Sequence, residues 1–362
     1  MSTRKILIMA GGTGGHVYPA LAVANEIRQR SHDVVWLGTH RGLEARVVPA
    51  AGIDIEWISV SGLRGKGALT LIAAPFRLLF ALFQSLRVVI RHRPAAVLGM
   101  GGFVSGPGGV AAWLLRRPLI VHEQNAVAGL TNRLLARLAR VVLQAFPGSF
   151  SASSKVITTG NPVRRSIAEV PCPSERLARD GDRGRLLVLG GSLGARALNQ
   201  LVPAALALLP SASRPDVRHQ TGERTADEAR AAYNDADVEV TLETFIEDMA
   251  EAYAWADVIV CRAGALTVAE VAAVGLPAVF VPFPFAVDDH QTANARSLAD
   301  AGGAVVLQES ELTAERLADV LNEWFADREI LLDRARKARS QARPDALERI
   351  TGICLQAAGA SA

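Results

Sequence analysis

The chain has 362 residues, half of them hydrophobic, and its length predicts two domains. The composition excludes a disordered or fibrous protein and favours a globular α/β one. The net charge is only +3, but residues 1–163 carry 18 lysines and arginines against 6 acids, and the remainder carries 21 against 30. The stretch between Glu56 and Glu123 has no acidic side chain. Such a basic surface attracts polyanions: nucleic acid, anionic lipid or a phosphorylated substrate.

The cysteines Cys172, Cys261 and Cys354 are far apart and form no C-x-x-C pair. We interpret them as reduced thiols of a cytoplasmic protein. The apolar stretch at the N-terminus is too short for a signal peptide, so we expect no cleavage there.

Short apolar runs that predict buried strands alternate with helical patterns along the whole chain. This alternation predicts an α/β fold with two Rossmann-like parallel-sheet domains, at 1–163 and 164–343. A last helix, about 344–362, could pack back on the first domain. Ligands of such sheets bind beyond the carboxyl ends of the strands, so we expect the site in an interdomain cleft. The predicted strands lie at 5–10, 34–38, 55–60, 95–101, 118–124, 141–146 and 155–160, then at 186–191, 217–222, 238–245, 257–264, 276–284 and 304–308.

Three glycine-rich loops, at 11–16, 99–112 and 190–199, follow predicted strands. Glycine lets the backbone approach an anion, and the helix after it offers unpaired N–H groups. None is a Walker A loop, and Val17 replaces a glycine of the dinucleotide fingerprint. The second strand lacks the acid that holds an NAD ribose, although Arg41 leaves an NADP interpretation open. The alternative for each loop is a turn needed only for packing.

The second half carries "CRAGALTVAE", in which Gly264 turns the chain and Ala265 to Thr267 begin a helix that can receive a phosphate. Glu270 follows about one turn later, where a carboxylate could accept both hydroxyls of a ribose. This pair of features indicates a nucleotide sugar. The alternative for Glu270 is an acid favoured only by the helix dipole.

Asp288 and Asp289 suggest a metal site at first sight. They are adjacent and no third ligand is apparent, so we expect them to cap a helix that begins at His290 or Gln291. We expect no metal and no cofactor.

Seven motifs occur in a fixed order from about residue 5 to about residue 300: "GGTGGHVYPALAVA", "GMGGFVSGPGGVAA", "HEQNAVAGLTNRLLA", "TGNPVR", "GGSLGA", "CRAGALTVAE" and "DDHQTANA". Together they resemble the MurG family of peptidoglycan glycosyltransferases. The resemblance implies a GT-B fold and transfer of N-acetylglucosamine from UDP-N-acetylglucosamine to the C4 hydroxyl of the muramoyl sugar of lipid I. The anomeric carbon would be inverted and the product would be lipid II.

The resemblance also implies roles for individual positions. In the second domain Ser192 would bind the donor diphosphate, Ile246 the uracil and Glu270 the ribose, while Gln291 and Asn294 would contact the sugar. The donor site would be completed from the cleft and hinge by Thr13, Gly14, Gly15, Asn125 and Arg164. The loop "GGTGGH" would also serve the diphosphate of lipid I. The implied substrate-contacting positions are Thr13, Gly14, Gly15, Asn125, Arg164, Ser192, Ile246, Ala265, Leu266, Thr267, Val268, Ala269, Glu270, Gln291 and Asn294.

His16 would face the reacting hydroxyl, and imidazole is suited to take its proton because it can be neutral at pH 7. The alternative is a histidine that only caps its helix. Glu123 is a second candidate base or an orienting group, and a buried structural role for it is equally open.

Residues 63–93 are apolar and basic, but Pro75, Arg77 and Arg87 interrupt the run, so we do not expect a helix that spans the membrane. From Phe76 to Ile90 the side chains Leu79, Leu82, Phe83, Leu86 and Ile90 follow helical spacing, with Arg77, Gln84 and Arg91 on another stripe. We expect this helix to rest on the anionic cytoplasmic face of the cell (inner) membrane, where a peripheral enzyme would meet lipid I. The alternative is a helix buried against the first sheet.

Three rival functions remain at this point. A non-hydrolysing UDP-N-acetylglucosamine 2-epimerase shares the architecture and the donor, but it needs no lipid surface. A membrane-surface scaffold could keep nucleotide-sugar binding without catalysis. Nucleic-acid binding is disfavoured because the basic residues are not interleaved with stacking aromatics in a recognisable module.

Overall fold

The computed structural model describes residues 3–61, 73–178, 183–191 and 194–360. The chain divides into two compact units. The first contains Met1–Val163 and Arg343–Ala362, and the second contains Arg164–Ala342.

The first unit is built on a seven-stranded parallel sheet with the order β3-β2-β1-β4-β5-β6-β7. Each of the seven apolar runs predicted in this half forms one strand. The order reverses between β1 and β4, and such a switch point opens a crevice at the carboxyl ends of the strands. The strands are β1 (Lys5–Met9), β2 (Asp33–Gly38), β3 (Asp54–Trp57), β4 (Ala96–Gly99), β5 (Leu119–Glu123), β6 (Val141–Gln144) and β7 (Val156–Thr158).

Helices cover both faces of this sheet because successive side chains of a strand point to opposite sides. Ile6 and Ile8 of β1 belong to one buried cluster, and Leu7 and Met9 belong to the other. The helices that precede the second unit are α1 (Gly14–Gln29), α2 (Glu44–Ala50), α3 (Ala74–His92), α4 (Ser105–Leu114) and α5 (Leu130–Leu138).

The second unit repeats the plan with a six-stranded parallel sheet of order β10-β9-β8-β11-β12-β13. All six predicted runs form strands, and the order reverses between β8 and β11. Its strands are β8 (Arg185–Leu189), β9 (Asp216–Gln220), β10 (Thr241–Glu243), β11 (Val258–Cys261), β12 (Ala278–Phe280) and β13 (Ala304–Val306). Its helices are α6 (Arg165–Ala168), α7 (Pro173–Arg176), α8 (Arg196–Leu208), α9 (Ala226–Asp235), α10 (Met249–Trp255), α11 (Ala265–Val274), α12 (His290–Ala299), α13 (Ala314–Ala326) and α14 (Arg328–Ser340).

The last helix, α15 (Ala346–Ala357), belongs to the first unit. It packs against α1 and β4, and its Ile350, Cys354 and Leu355 lie in the same buried cluster as Ile6 and Ile8. The first core is therefore completed by residues more than two hundred positions away in the sequence.

We predict that Ile350→Ala lowers the free energy of unfolding of the first unit by about 2–5 kcal/mol, because it leaves a cavity in this core. Ile90→Ala, which truncates an exposed isoleucine of the same unit, should change it by no more than about 0.5 kcal/mol. Native-state hydrogen exchange of the β1 and β4 amides measures both values. Equal effects of the two variants would show that α15 is not part of this core.

Candidate functional site

In the first unit, two glycine-rich loops meet at the switch point between β1 and β4. Gly101 and Gly102 have positive φ of 97° and 80°. A Cβ at Gly102 would overlap the carbonyl of Gly11, and one at Gly101 would collide with the imidazole of His16. These two glycines are therefore required by the close approach of the loops, which supports the packing alternative for this pair of positions.

A buried carboxylate holds the first glycine-rich loop through hydrogen bonds. Glu44 is fully buried, and its oxygens accept from the amides of Gly12 at 2.9 Å and Thr39 at 3.0 Å and from the Thr39 hydroxyl at 2.8 Å. The Gly12 amide is thus occupied and does not serve a ligand. The amides of Gly14 and Gly15, in the first turn of α1, have no acceptor among the residues that the structure describes, so they can meet an anion.

Glu123 plays the same part in the loop after β5. Its carboxylate is 2% exposed and accepts four hydrogen bonds. The donors are the Asn125 amide at 3.0 Å, Asn125 Nδ2 at 3.2 Å, the Gly129 amide at 3.1 Å and Asn132 Nδ2 at 2.9 Å. Because these donors occupy both oxygens, the geometry favours an orienting role for Glu123, with Asn125 as the side chain that it fixes.

His16 lies in the first turn of α1 and is half-buried. Its Nδ1 is 3.1 Å from Oε1 of Gln124, whose Nε2 is 3.2 Å from Nδ1 of His122. Burial lowers the pKa of His122 to about 4, so this second imidazole is neutral at pH 7. Nδ1 of His16 faces the protein interior.

In the second unit, helix α11 begins at Ala265 directly after β11, with Gly264 at its N-cap. Two polar side chains of α12 order this turn. Gln291 accepts through Oε1 from the amides of Ala263 at 3.2 Å and Phe283 at 3.0 Å, and Asn294 donates through Nδ2 to the Ala263 carbonyl at 3.2 Å. The helix N-terminus is thereby held as a fixed group of N–H donors.

Glu270 lies on α11 with its carboxylate almost fully buried. Oε1 accepts from Arg164 at 3.2 Å, and Oε2 accepts from the Tyr253 hydroxyl at 3.0 Å. Burial raises the pKa of Glu270, and the arginine and the tyrosine oppose that rise. The Arg164 side chain is 46% exposed. This carboxylate therefore has one fixed partner and one that can move away.

The remaining predicted positions of the second unit have varied surroundings. Leu266, Thr267 and Ala269 are partly exposed on α11, whereas Val268 is buried. Ile246, in the loop after β10, is also buried. Ser192 lies outside the described residues.

The prediction that Asp288 and Asp289 cap α12 is only partly correct. Asp289 is the N-cap residue of α12, but its carboxylate accepts from the Thr292 hydroxyl at 2.7 Å and makes no hydrogen bond to the helix backbone. Both Asp288 and Asp289 have positive φ, 54° and 50°, so the chain enters the helix through a left-handed turn. Among the described residues no group of three or more histidine, cysteine or acidic side chains could hold a metal ion.

Helix α3 has one side buried on the first unit and one side exposed. Ala81, Ser85, Val88 and Val89 are buried on the first unit. The opposite side is exposed and apolar, with Phe76 at 75% and Phe83 at 63% exposure. Leu79 and Ile90 of the predicted apolar stripe are exposed, whereas Leu82 and Leu86 pack against the core. Residues 63–72, with Arg64 and Lys66, lie outside the described residues.

The exposed apolar side of α3 continues onto its neighbours. Helix α4 packs against both α3 and α5. Trp113 and Leu114 of α4 and Leu130 and Leu134 of α5 are about half exposed or more. Exposed large apolar side chains on three adjacent helices are uncommon on a monomer surface and mark a contact site. No helix in the described part of the chain is long and apolar enough to span a membrane.

Sequence reasoning missed Glu44, Gln124 and Tyr253. Glu44 lies 32 residues from the Gly12 amide that it accepts from, and Tyr253 lies 17 residues from Glu270. Gln124 lies within the recognised motif "HEQN", where only its neighbours were assigned roles. Its place next to two candidate site residues was the only available signal.

The chain is similar to known proteins along nearly its whole length. Residues 6–144 match the glycosyltransferase family 28 N-terminal domain, and residues 185–350 match the C-terminal domain of the same family. A protein of Alkalilimnicola ehrlichii named UDP-N-acetylglucosamine--N-acetylmuramyl-(pentapeptide) pyrophosphoryl-undecaprenol N-acetylglucosamine transferase is 60% identical over 98% of this chain and 99% of its own length. A protein of the same name from Nitrosococcus oceani is 56% identical, with 98% and 99% covered. The crystal structure of Acinetobacter baumannii MurG is 44% identical with a TM-score of 0.85, covering 98% of this chain and 99% of that one.

Proposed function

The chain belongs to glycosyltransferase family 28 and, within it, to the MurG family, and on this premise we propose how its residues carry out the transfer. It has the GT-B fold of two parallel-sheet α/β domains. It transfers N-acetylglucosamine from UDP-N-acetylglucosamine to the C4 hydroxyl of the muramoyl sugar of lipid I, with inversion, and gives lipid II. Relatives at this level of identity carry the name of a transferase, which disfavours an epimerase and a non-catalytic scaffold.

The donor assignment depends on one observation, the buried carboxylate of Glu270 behind the N-terminus of α11. We assign the α-phosphate to the amides of Ala265 to Thr267, where the helix dipole favours an anion. The ribose hydroxyls then donate to Glu270 in place of Arg164, whose half-exposed guanidinium turns to the phosphates. Tyr253 stays and keeps the carboxylate in position.

The other donor contacts are assigned from the groups of each residue that the protein's own hydrogen bonds and packing do not occupy. Oε1 of Gln291 is occupied by two backbone amides, so Gln291 meets the sugar through its amide N–H groups. Ile246 is buried, so it meets the uracil through its backbone. Asn294 holds the turn before α11, and Ser192, outside the described residues, remains assigned to the diphosphate by its motif.

The acceptor assignment uses the loop at the start of α1. The exposed Thr13 and the amides of Gly14 and Gly15 receive a diphosphate, and Asn125, fixed by Glu123, contributes a side-chain amide. His16 accepts the proton of the C4 hydroxyl as that oxygen attacks the anomeric carbon. The bond from this carbon to UDP breaks, and the leaving diphosphate takes the electron pair and is stabilised by helix amides.

The exposed apolar side of α3, α4 and α5 rests on an anionic membrane surface, at the cytoplasmic face of the cell (inner) membrane. Arg77, Arg87 and Arg91 of α3 and Arg133 and Arg137 of α5 supply positive charge beside the apolar side chains. Each basic residue near an anionic surface contributes about 1 kcal/mol to the free energy of membrane binding, so several together hold the protein on the membrane reversibly.

Purified protein incubated with UDP-N-acetylglucosamine and a short-chain lipid I analogue tests the activity. We expect a disaccharide product and one UDP for each disaccharide formed. Release of UDP without a disaccharide, or conversion of the donor to its 2-epimer, would contradict the proposed function.

For the donor site, we predict that Glu270→Ala weakens UDP binding about 10- to 150-fold. Loss of a hydrogen bond to a charged group costs about 1.5–3 kcal/mol. Glu228→Ala removes an acid of the same unit that pairs with Arg196 on the surface, and it should bind UDP like the wild type. Calorimetry with UDP measures both, and unchanged affinity of a folded Glu270→Ala protein would remove the ribose assignment.

For the chemical step, we predict that His16→Ala lowers kcat about 10²- to 10⁴-fold, the usual effect of losing a general base, and leaves UDP affinity unchanged. His32→Ala is the matched control, since His32 directly precedes β2, at the amino ends of the strands, where its Nδ1 accepts from the Arg4 amide. Near-normal turnover of His16→Ala at saturating substrates would show that a group other than His16 takes the proton of the C4 hydroxyl.

For the membrane surface, we predict binding to vesicles that contain anionic lipid and weaker binding as salt rises. Replacing Phe76, Leu79 and Phe83 together by serine should reduce this binding, whereas Leu208→Ser, at an exposed leucine of the second unit, should not. Vesicle sedimentation measures the fraction of each protein that is bound. Equal binding to neutral and anionic vesicles, or none to either at low salt, would contradict this surface.

A further inference from the structure

Gln124 is a buried side chain that touches three groups at the carboxyl ends of β4 and β5. It is 1% exposed. Its Nε2 is 3.0 Å from the carbonyl oxygen of Met100 and 3.2 Å from Nδ1 of His122, and its Oε1 is 3.1 Å from Nδ1 of His16. None of the roles assigned above uses this amide.

The Met100 carbonyl fixes which way the Gln124 amide points. A carbonyl oxygen only accepts hydrogen bonds, so the Nε2 of Gln124 must face it and the Oε1 must face His16. An amide oxygen also only accepts. Nδ1 of His16 therefore carries a proton, and in the neutral imidazole Nε2 has the free lone pair.

His122 supports the same assignment independently. Its Nε2 is 3.0 Å from the carbonyl oxygen of Gly160, so Nε2 carries its proton. Burial keeps this imidazole neutral, and its Nδ1 is left to accept the second N–H of Gln124. Every donor in the chain from Gly160 to His16 then meets an acceptor, and the reverse amide orientation would place acceptor against acceptor at two contacts, those with the Met100 carbonyl and with Nδ1 of His122.

We propose that Gln124 is a positioning residue that holds His16 as the Nδ1–H tautomer and leaves Nε2 to take the proton of the acceptor hydroxyl. This inference rests on the proposed role of His16. After the transfer, Nε2 carries the hydroxyl proton and Nδ1–H is still donated to Gln124, so the imidazole keeps its orientation. A neutral amide fixes the tautomer without placing a negative charge beside the ring, as a carboxylate would.

The tautomer is measured directly on the full-length wild-type protein labelled with nitrogen-15 histidine, by long-range proton–nitrogen correlation at neutral pH. The His16 and His122 signals are assigned by their loss in His16→Asn and His122→Gln. We expect a protonated Nδ1 for His16 and a protonated Nε2 for His122. A protonated Nε2 on His16 would overturn the inference whatever the enzyme's activity.

A matched pair of variants tests the consequence. Gln124→Met removes the amide at nearly constant volume, and Gln144→Met makes the same change on the neighbouring strand, where the buried amide contacts Thr158 and Phe150 and no histidine. In Gln124→Met we expect His16 to lose its preference for the Nδ1–H tautomer. We expect kcat to fall about 10- to 100-fold, which is part of what a general base contributes, and the KM for the donor to stay unchanged. Gln144→Met should retain the wild-type His16 tautomer and the wild-type kcat.

The outcomes separate this inference from the proposed function. A Gln124→Met protein with the wild-type tautomer and kcat would overturn the positioning role. Normal turnover of His16→Ala would overturn the base role, while the wild-type spectrum would still decide which nitrogen carries the proton. If Gln124→Met does not fold, the wild-type spectrum alone decides.

Discussion

Parallel strands leave backbone N–H groups unpaired in the loops at their carboxyl ends, and this enzyme satisfies several of them with buried polar side chains. Glu44 and Glu123 serve the first unit, and Gln291 serves the second. An unpaired buried amide costs about 1–3 kcal/mol, so these side chains fix the loop conformations that the site residues require. The glycine-rich loop before α1 depends on this support through Glu44.

The number of protein donors at a buried carboxylate indicates what that carboxylate can do. Among the described residues, Glu123 accepts four hydrogen bonds and Glu44 accepts three, from neighbouring loops and from Asn132 of α5, so protein donors occupy most of their acceptor positions. Within the described part of the chain Glu270 accepts from two side chains, and one of them, Arg164, is half exposed. This is the carboxylate that can exchange a protein donor for a ligand hydroxyl, and burial strengthens its discrimination for hydrogen-bonding groups.

Strand positions could be predicted because buried parallel strands are continuous apolar runs, and each of the predicted runs forms a strand. The motif order likewise identified the family. The supporting carboxylates could not be predicted, since Glu44 reaches Gly12 across 32 residues and only the folded sheet brings them together. Helix α3 carries apolar side chains on both its buried and its exposed sides, so periodicity could not separate the two alternatives. Asp289 occupies the expected N-cap, but its left-handed backbone directs the carboxylate to Thr292.

Native-state hydrogen exchange of the substrate-free protein tests most directly whether buried side chains order these loops. The amides of Gly12, Thr39, Asn125 and Gly129 donate to Glu44 or Glu123, so we expect them to exchange as slowly as amides of the neighbouring strands. The amides of Gly14 and Gly15, which have no acceptor in the described chain, should exchange far faster. Fast exchange at all six amides would show that the loops are not ordered before substrate binds and would contradict this account.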